Sequence, residues 1–248
     1  MKINLLIIGF ATGFISSFLG IGGGVFLVPA LEYFWGYNFE RAIGASLAII
    51  APIVLAGLLF HFLIEAENIK LVFAAFAVLG SIIGAKIGAN LANKIEDGLL
   101  AKIFSFVFVL AGLKLTGIIC FPIEQIFSEN IYPLLIVLGL VAGIISALFG
   151  IGEGLIIVPG LSLFFGFSMQ EAIATSLAVI FPTTLAGALF HHKFNNIEMD
   201  VVKNLIPAAL AGAFFGALCV NIIPSLFVEK IFGIFMILYS IKTFLRKN

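Results

Sequence analysis

The chain has 248 residues, of which 62% are hydrophobic and only 10% charged, with 13 basic against 13 acidic side chains. A soluble domain carries about 25% charged residues, so hydrocarbon must be the solvent for most of this surface. Zero net charge removes the long-range field that nucleic acid would require. Two isolated cysteines, Cys120 and Cys219, make neither a disulfide framework nor a metal site.

In chain order, Met1-Lys2 and the apolar run up to Ala11-Thr12-Gly13 imitate a signal peptide. The same pattern returns in mid-chain, so the run is read as mature structure. Eight apolar segments follow one another, at roughly 3–35, 42–63, 70–92, 99–121, 132–165, 172–191, 201–222 and 228–245. A helical crossing needs about 20 apolar residues, and the later three segments of each half fit one crossing each. The first of each half is too long for one straight helix. It is interrupted by Gly20-Ile21-Gly22-Gly23-Gly24 or by Gly150-Ile151-Gly152-Glu153-Gly154, and glycines at this density break a helix. Pro29 and Pro159 stiffen the exit from each break.

The chain is one unit written twice. Residues 9–61 align with residues 139–191 without a gap, at a constant shift of 130 positions, and about half of the aligned positions are identical. Val28-Pro29 meets Val158-Pro159, Ser46-Leu47-Ala48 meets Ser176-Leu177-Ala178, Pro52 meets Pro182, and Phe60-His61 meets Phe190-His191. Farther on, Gly80 and Gly84 resemble Gly212 and Gly216. The expected fold is therefore an all-α polytopic membrane protein of two repeats, 1–125 and 126–248. Each repeat holds a glycine-broken first segment and three transmembrane helices.

Charge decides how the broken segment runs. If it enters the bilayer and returns to the same side, Lys2, Arg41, Lys86, Lys94, Lys102, Lys193, Lys203, Lys242, Arg246 and Lys247 fall on or near one face. Lys70 and Lys230 fall near the other, with the acidic central loop of Glu124 and Glu129. The positive-inside rule favours this re-entrant arrangement over a crossing, with both termini cytoplasmic. Three crossings per half then orient the halves oppositely, as inverted repeats.

Unwound backbone at depth is tolerated where it lines a polar cavity or is buried in protein. In transporters, helix ends at such breaks point at the solute, and an N-terminal end suits an anion. The expected solute site thus comprises Gly20, Gly22, Gly23, Gly24, Gly150, Gly152 and Gly154. Close helix packing by glycine is the competing reading. Ser46, Thr175 and Ser176 lie near the start of the second segment of each half, and Thr183 follows Pro182. Their hydroxyls would donate to a solute or re-satisfy a helix broken by Pro52 or Pro182. Glu153 replaces Gly23 of the first half. A lone carboxylate at depth costs on the order of 3 kcal/mol or more, so a proton-coupling role stands beside a mouth or capping role. His61, His191 and His192 end apolar segments and read as interfacial. Lys114, with its counterpart Lys242, can snorkel or attract an anion. No metal or cofactor is expected, and no HExxH, GxSxG or paired-acid motif supports an enzyme.

The paired Gly-Ile-Gly-x-Gly breaks followed by Val-Pro, the Ser-Leu-Ala segment with its proline, and Gly-x-x-x-Gly in the third segment resemble the TauE/SafE sulfite exporter family. This is also called the 4-toluene sulfonate uptake permease family. The resemblance covers nearly the whole chain. It implies a bacterial or archaeal cytoplasmic-membrane protein that moves sulfite, a sulfonate or another small organic anion without ATP hydrolysis. If Glu153 carries a proton, protons would be the coupling ion. Glu153 departs from the family's usual glycine. A secondary transporter is the expected activity; the alternative is a passive anion channel with the same core.

Overall fold

The computed structural model describes residues 2–92, 97–119, 131–149, 152–193 and 199–245, and all the regular structure among them is helical. The elements are α1 (Lys2–Leu19), α2 (Gly24–Trp35), α3 (Phe39–Glu65), α4 (Leu71–Ala92), α5 (Asp97–Leu115), α6 (Ile131–Phe149), α7 (Gly154–Phe165), α8 (Met169–Lys193), α9 (Met199–Ile222) and α10 (Ser225–Leu245). A short 3₁₀ turn, Ala66–Asn68, joins α3 to α4. Cys120, Glu124, Glu129, Lys94, Gly150, Ile151, Arg246 and Lys247 lie outside the described residues, as do the side chains of His191, His192 and Lys193.

Five of the described helices are long and apolar enough to cross a membrane. Large apolar side chains are exposed on these and on other described helices, including Ile82 and Ile83 of α4, Phe106 of α5, and Phe227, Ile234 and Leu238 of α10. Water would penalise that surface and lipid does not. Tyr33, Phe34 and Trp35 stack edge to face at the end of α2, the residue types that settle at a bilayer interface.

Each first segment reverses direction. Gly23 lies against Thr12 and Ser16 of α1, and Leu27, Val28 and Leu31 of α2 share a core with Leu5 near the start of α1. In the second half, Gly160 of α7 packs on Leu138 of α6. Gly36 and Gly166, 130 positions apart, end α2 and α7 in the left-handed conformation at φ 66° and 69°. Asn38 then caps α3 by accepting from the Arg41 N–H at 3.0 Å. At the matching point Ser168 and Glu171 form a capping box on α8: the Ser168 N–H donates to Glu171 and the Glu171 N–H to Ser168.

Small residues set the close helix pairs. A Cβ on Gly13 of α1 would collide with the Ala209 backbone of α9, and one on Gly212 or Gly216 with the carbonyls of Phe10 or Phe14. Gly80 and Gly84 of α4 likewise meet Ile136 and Leu140 of α6. In both pairs the residue numbers rise together, so the helices run parallel. Without a hydrophobic drive between helices in lipid, backbone approach of this kind supplies the contact energy. The first helix of each half therefore pairs with the fourth of the other, α1 with α9 and α6 with α4. Gly57 of α3 meets Leu177 of α8, and Gly187 of α8 meets Leu47 of α3. Here one number rises as the other falls, so α3 and α8 are antiparallel.

Candidate functional site

The first break begins where the Gly20 N–H makes the last α1 bond, to Ser16 O at 2.9 Å. Gly20, Gly22 and Gly23 have φ of 67°, 81° and 84°. A side chain in that left-handed region costs about 1–2 kcal/mol, which is why three glycines stand there. Gly24 then opens α2, with Gly23 O accepting from the Phe26 and Leu27 N–H groups. The second break enters the described structure at Gly152, φ 83°, and Gly154 opens α7.

The two breaks meet. A Cβ on Gly152 would come within 2.9 Å of Ile21 O, and one on Gly154 would overlap Gly20 O. Ile21 is fully buried. A Cβ on Gly22 would touch Ile180 of α8 at 3.2 Å and Ile50 of α3 at 3.7 Å. Those isoleucines occupy equivalent places in the repeat, so the contact sits on the crossing of α3 and α8. Ser176 holds the first break: its hydroxyl lies 2.7 Å from Gly20 O and 2.7 Å from Ile173 O.

The other expected residues divide. Ser46 is buried and donates to Ile43 O in its own helix at 2.8 Å. Gly150, the break residue at the place matching Gly20, is outside the described residues. Thr175 turns away from the breaks. It accepts from the Lys70 N–H at 3.1 Å and reaches Asn68 O at 3.4 Å. Pro29, Pro52, Pro159 and Pro182 all lie inside helices. After Pro182, the Thr183 and Thr184 hydroxyls donate to Ile180 O, each at 2.8 Å. These are back-bonds to the preceding turn; the carbonyl that Pro182 deprives of its N–H donor is that of Ala178, four residues earlier.

Glu153 is the N-cap residue of α7, with no side-chain cap bond. It is 5% exposed, and its Oε2 has no hydrogen-bond partner among the described residues. Ser81 and Ser16 are buried with hydroxyls lacking partners among the described residues, and neither was expected from the sequence. The pair Ser16-Ser17 facing Ser146-Ala147 in the repeat, and Ser81 between matched glycines, were the signals available.

His61 is fully buried within the protein. Its Nε2 lies 3.2 Å from Ser17 O, and its Nδ1 lies 3.2 Å from Asn221 Nδ2. Asn221 Nδ2 also donates to Ala217 O at 2.7 Å, while its Oδ1 accepts from Asn68. These contacts make Nδ1 the acceptor and Nε2–H the donor. The helix reaches past the segment end and α1 and α9 cover the ring, which residue order along α3 does not reveal. Nearby, Lys70 and Glu171 pair at 3.1 Å, joining the α3–α4 connection to α8.

Two glycine breaks beside short apolar helices, packed among five helices long and apolar enough to cross a bilayer, fit a multi-pass membrane protein. The chain belongs to the sulfite exporter TauE/SafE family, whose model matches residues 1–115 and 135–248. It is similar to the probable membrane transporter protein YdhB of Bacillus subtilis, 27% identical over 91% of this chain and 93% of that protein. YunE of the same organism, also named a probable membrane transporter protein, is 27% identical over 86% of each chain. The Arabidopsis thaliana sulfite exporter TauE/SafE family protein 6 is 27% identical over 45% of this chain and 27% of its own length. No solved structure matches.

Proposed function

We propose that this protein is a secondary transporter that moves a small anion across the cytoplasmic membrane. Sulfite, an organosulfonate or a related carboxylate is the expected solute. The observation that carries the reading is the meeting of the two breaks, Gly20–Gly24 and Gly152–Gly154, on the α3–α8 crossing. Two helices, α2 and α7, begin there. Each N-terminus supplies unpaired N–H donors and about half a positive charge, which suits an anion. The names of the relatives, membrane transporter and sulfite exporter, agree with this chemistry.

The repeats 1–125 and 126–248 act as oppositely oriented halves. The reversal of each first segment supports this, as does the antiparallel run of α3 and α8. A parallel repeat would set equivalent helices parallel. Glu153 is the coupling residue. Protonation removes the charge that repels an anion entering the same break, so solute and proton bind with mutual benefit. Uptake then rises as the outside becomes more acidic.

Purified protein in proteoliposomes, with the voltage clamped, tests this against sulfite, sulfoacetate, 4-toluenesulfonate and simple carboxylates. The expected result is accumulation of one anion class above equilibrium under an inward proton gradient. Equilibration indifferent to that gradient would mean a passive channel instead. Cysteine labelling tests the topology: positions 2, 94 and 247 should share one side and position 124 the other. Labelling of 94 and 124 from one side would sink the inverted arrangement.

A further inference from the structure

We propose that His61 is a positioning residue for the solute site. With Ser176 it takes up the carbonyl end of α1, so that the first break turns its N–H donors to the anion. The inference rests on the anion reading of the breaks and adds the side chain that holds one of them in shape.

The need arises in α1. The last carbonyls of a helix have no partner within it. The Gly20 N–H returns to Ser16 O at 2.9 Å, and the left-handed turn at Gly20, φ 67°, ends the ladder there. Ser17 O comes next. In a continuing helix it would meet the N–H of Ile21, which lies beyond that turn. His61 supplies the donor instead, its Nε2 3.2 Å from Ser17 O. Ser176 reaches Gly20 O at 2.7 Å. One side chain comes from α3 and the other from α8, so both helices of the crossing hold the end of α1. Ser17, His61 and Ser176 are all buried, where a carbonyl must find its partner in the protein.

The ring is held in the form this requires. Asn221 donates from Nδ2 to Ala217 O at 2.7 Å and accepts on Oδ1 from Asn68 at 3.2 Å. Its orientation is thus fixed from two sides, and what it offers His61 Nδ1, at 3.2 Å, is an N–H. The ring proton then sits on Nε2, facing Ser17 O. An amide N–H hands on no proton, so the ring is not a link in a proton path. Among the described residues no group of three or more His, Cys, Asp or Glu could hold a metal ion. At the shift that brings Gly80 and Gly84 onto Gly212 and Gly216, Asn221 meets Ala89, so the amide that fixes His61 has no counterpart there in the first half.

The opposite side of the break is left with donors. Gly23 O accepts from the Phe26 and Leu27 N–H groups, while the Gly24 and Val25 N–H groups open α2 and have no partner within it. Ser16 lies alongside: its Cβ is 3.6 Å from where a Cβ of Gly23 would stand. Its hydroxyl is fully buried and has no partner among the described residues. Carbonyls that are occupied and donors that are free favour an anion over a cation.

Solid-state NMR of the full chain in lipid, with ¹⁵N-labelled histidine, reads the ring without any solute. His61→Gln identifies its signals among those of the three histidines. The expected ring is neutral with its proton on Nε2, and Asn221→Leu should turn it into a mixture of tautomers. A second readout is the response of the Gly24 and Val25 amide signals to sulfite and to 4-toluenesulfonate. His61→Leu should raise the half-saturating anion concentration several-fold. His61→Gln, which keeps an N–H donor, should restore most of the affinity, an outcome that a packing role would not produce. Asn221→Leu keeps the ring and should weaken the response in the same direction, which covers the case of His61→Leu failing to fold. A ring without a proton on Nε2, or half-saturation unchanged in the His61→Leu and Asn221→Leu proteins, overturns this inference and leaves the anion reading standing. A wild type that answers to neither anion overturns the anion reading itself.

Discussion

The two breaks occupy the same place in the repeat but not the same backbone. Gly23 sits at φ 84°, ψ −6°, while its counterpart Glu153 sits at φ −74°, ψ −24°. A left-handed position admits glycine with little strain and a right-handed one admits any L residue. The wall differs as well. The Thr12 methyl lies 2.8 Å from where a Cβ of Gly23 would stand, and the residue matching Thr12 in the second half is Ala142. So the first break is closed to a side chain twice over, while the second makes room for a carboxylate. Duplication supplied one path; local backbone and one small residue opened only one copy of it to charge.

The largest effect should come from filling either break. Gly22→Leu and Gly152→Leu place a side chain at φ 81° and 83°, against Ile180 in one case and Ile21 O in the other. Initial transport rates in proteoliposomes should fall more than tenfold while detergent-extracted protein still elutes as one species. Near-normal rates with leucine at both positions would reduce the breaks to packing features.

Exchanging the unmatched position is next. Gly23→Glu should lower thermal stability in detergent by about 1–3 kcal/mol, the cost of a strained left-handed residue. Glu153→Gly should fold normally and lose the pH dependence of uptake. Equal stability of the two variants would mean that the backbone difference between the breaks is not what selects the carboxylate.

Ser176→Ala removes the bond to Gly20 O and should cost about 1 kcal/mol. Ser46→Ala breaks a bond within its own helix and should cost less, so the difference in melting temperature measures how far the halves diverge. Lys70→Ala should matter least. Its pair with Glu171 leaves the two side chains 36% and 27% exposed, and pairs of that kind contribute roughly 0–1 kcal/mol. A larger loss would make the Lys70–Glu171 contact a clamp between the halves rather than a surface pair.

Much of the molecule could be read from residue order. The helical segments, the glycine breaks and the internal duplication are periodicities and compositions, which act locally. Gly20 and Gly22 announced broken helix because several glycines in five positions cannot hold one. Ser176 was legible as a candidate because it recurs with Ser46, yet order could not say that Ser176 crosses to Gly20 O while Ser46 bonds its own turn. Thr175 stood beside Ser176 on the page and points elsewhere in space, because neighbours on a helix lie about 100° apart.

The sequence by itself determined that this chain lives in lipid, that it is one helical unit repeated, and where each repeat must unwind. Those outcomes follow from hydropathy and backbone freedom along a single stretch. Tertiary structure alone decided that α1 pairs with α9 and α6 with α4, that the breaks abut at Ile21, and that Glu153 is buried. Such contacts join residues tens to more than a hundred positions apart. They depend on which small side chains let two backbones approach, a property of two surfaces together.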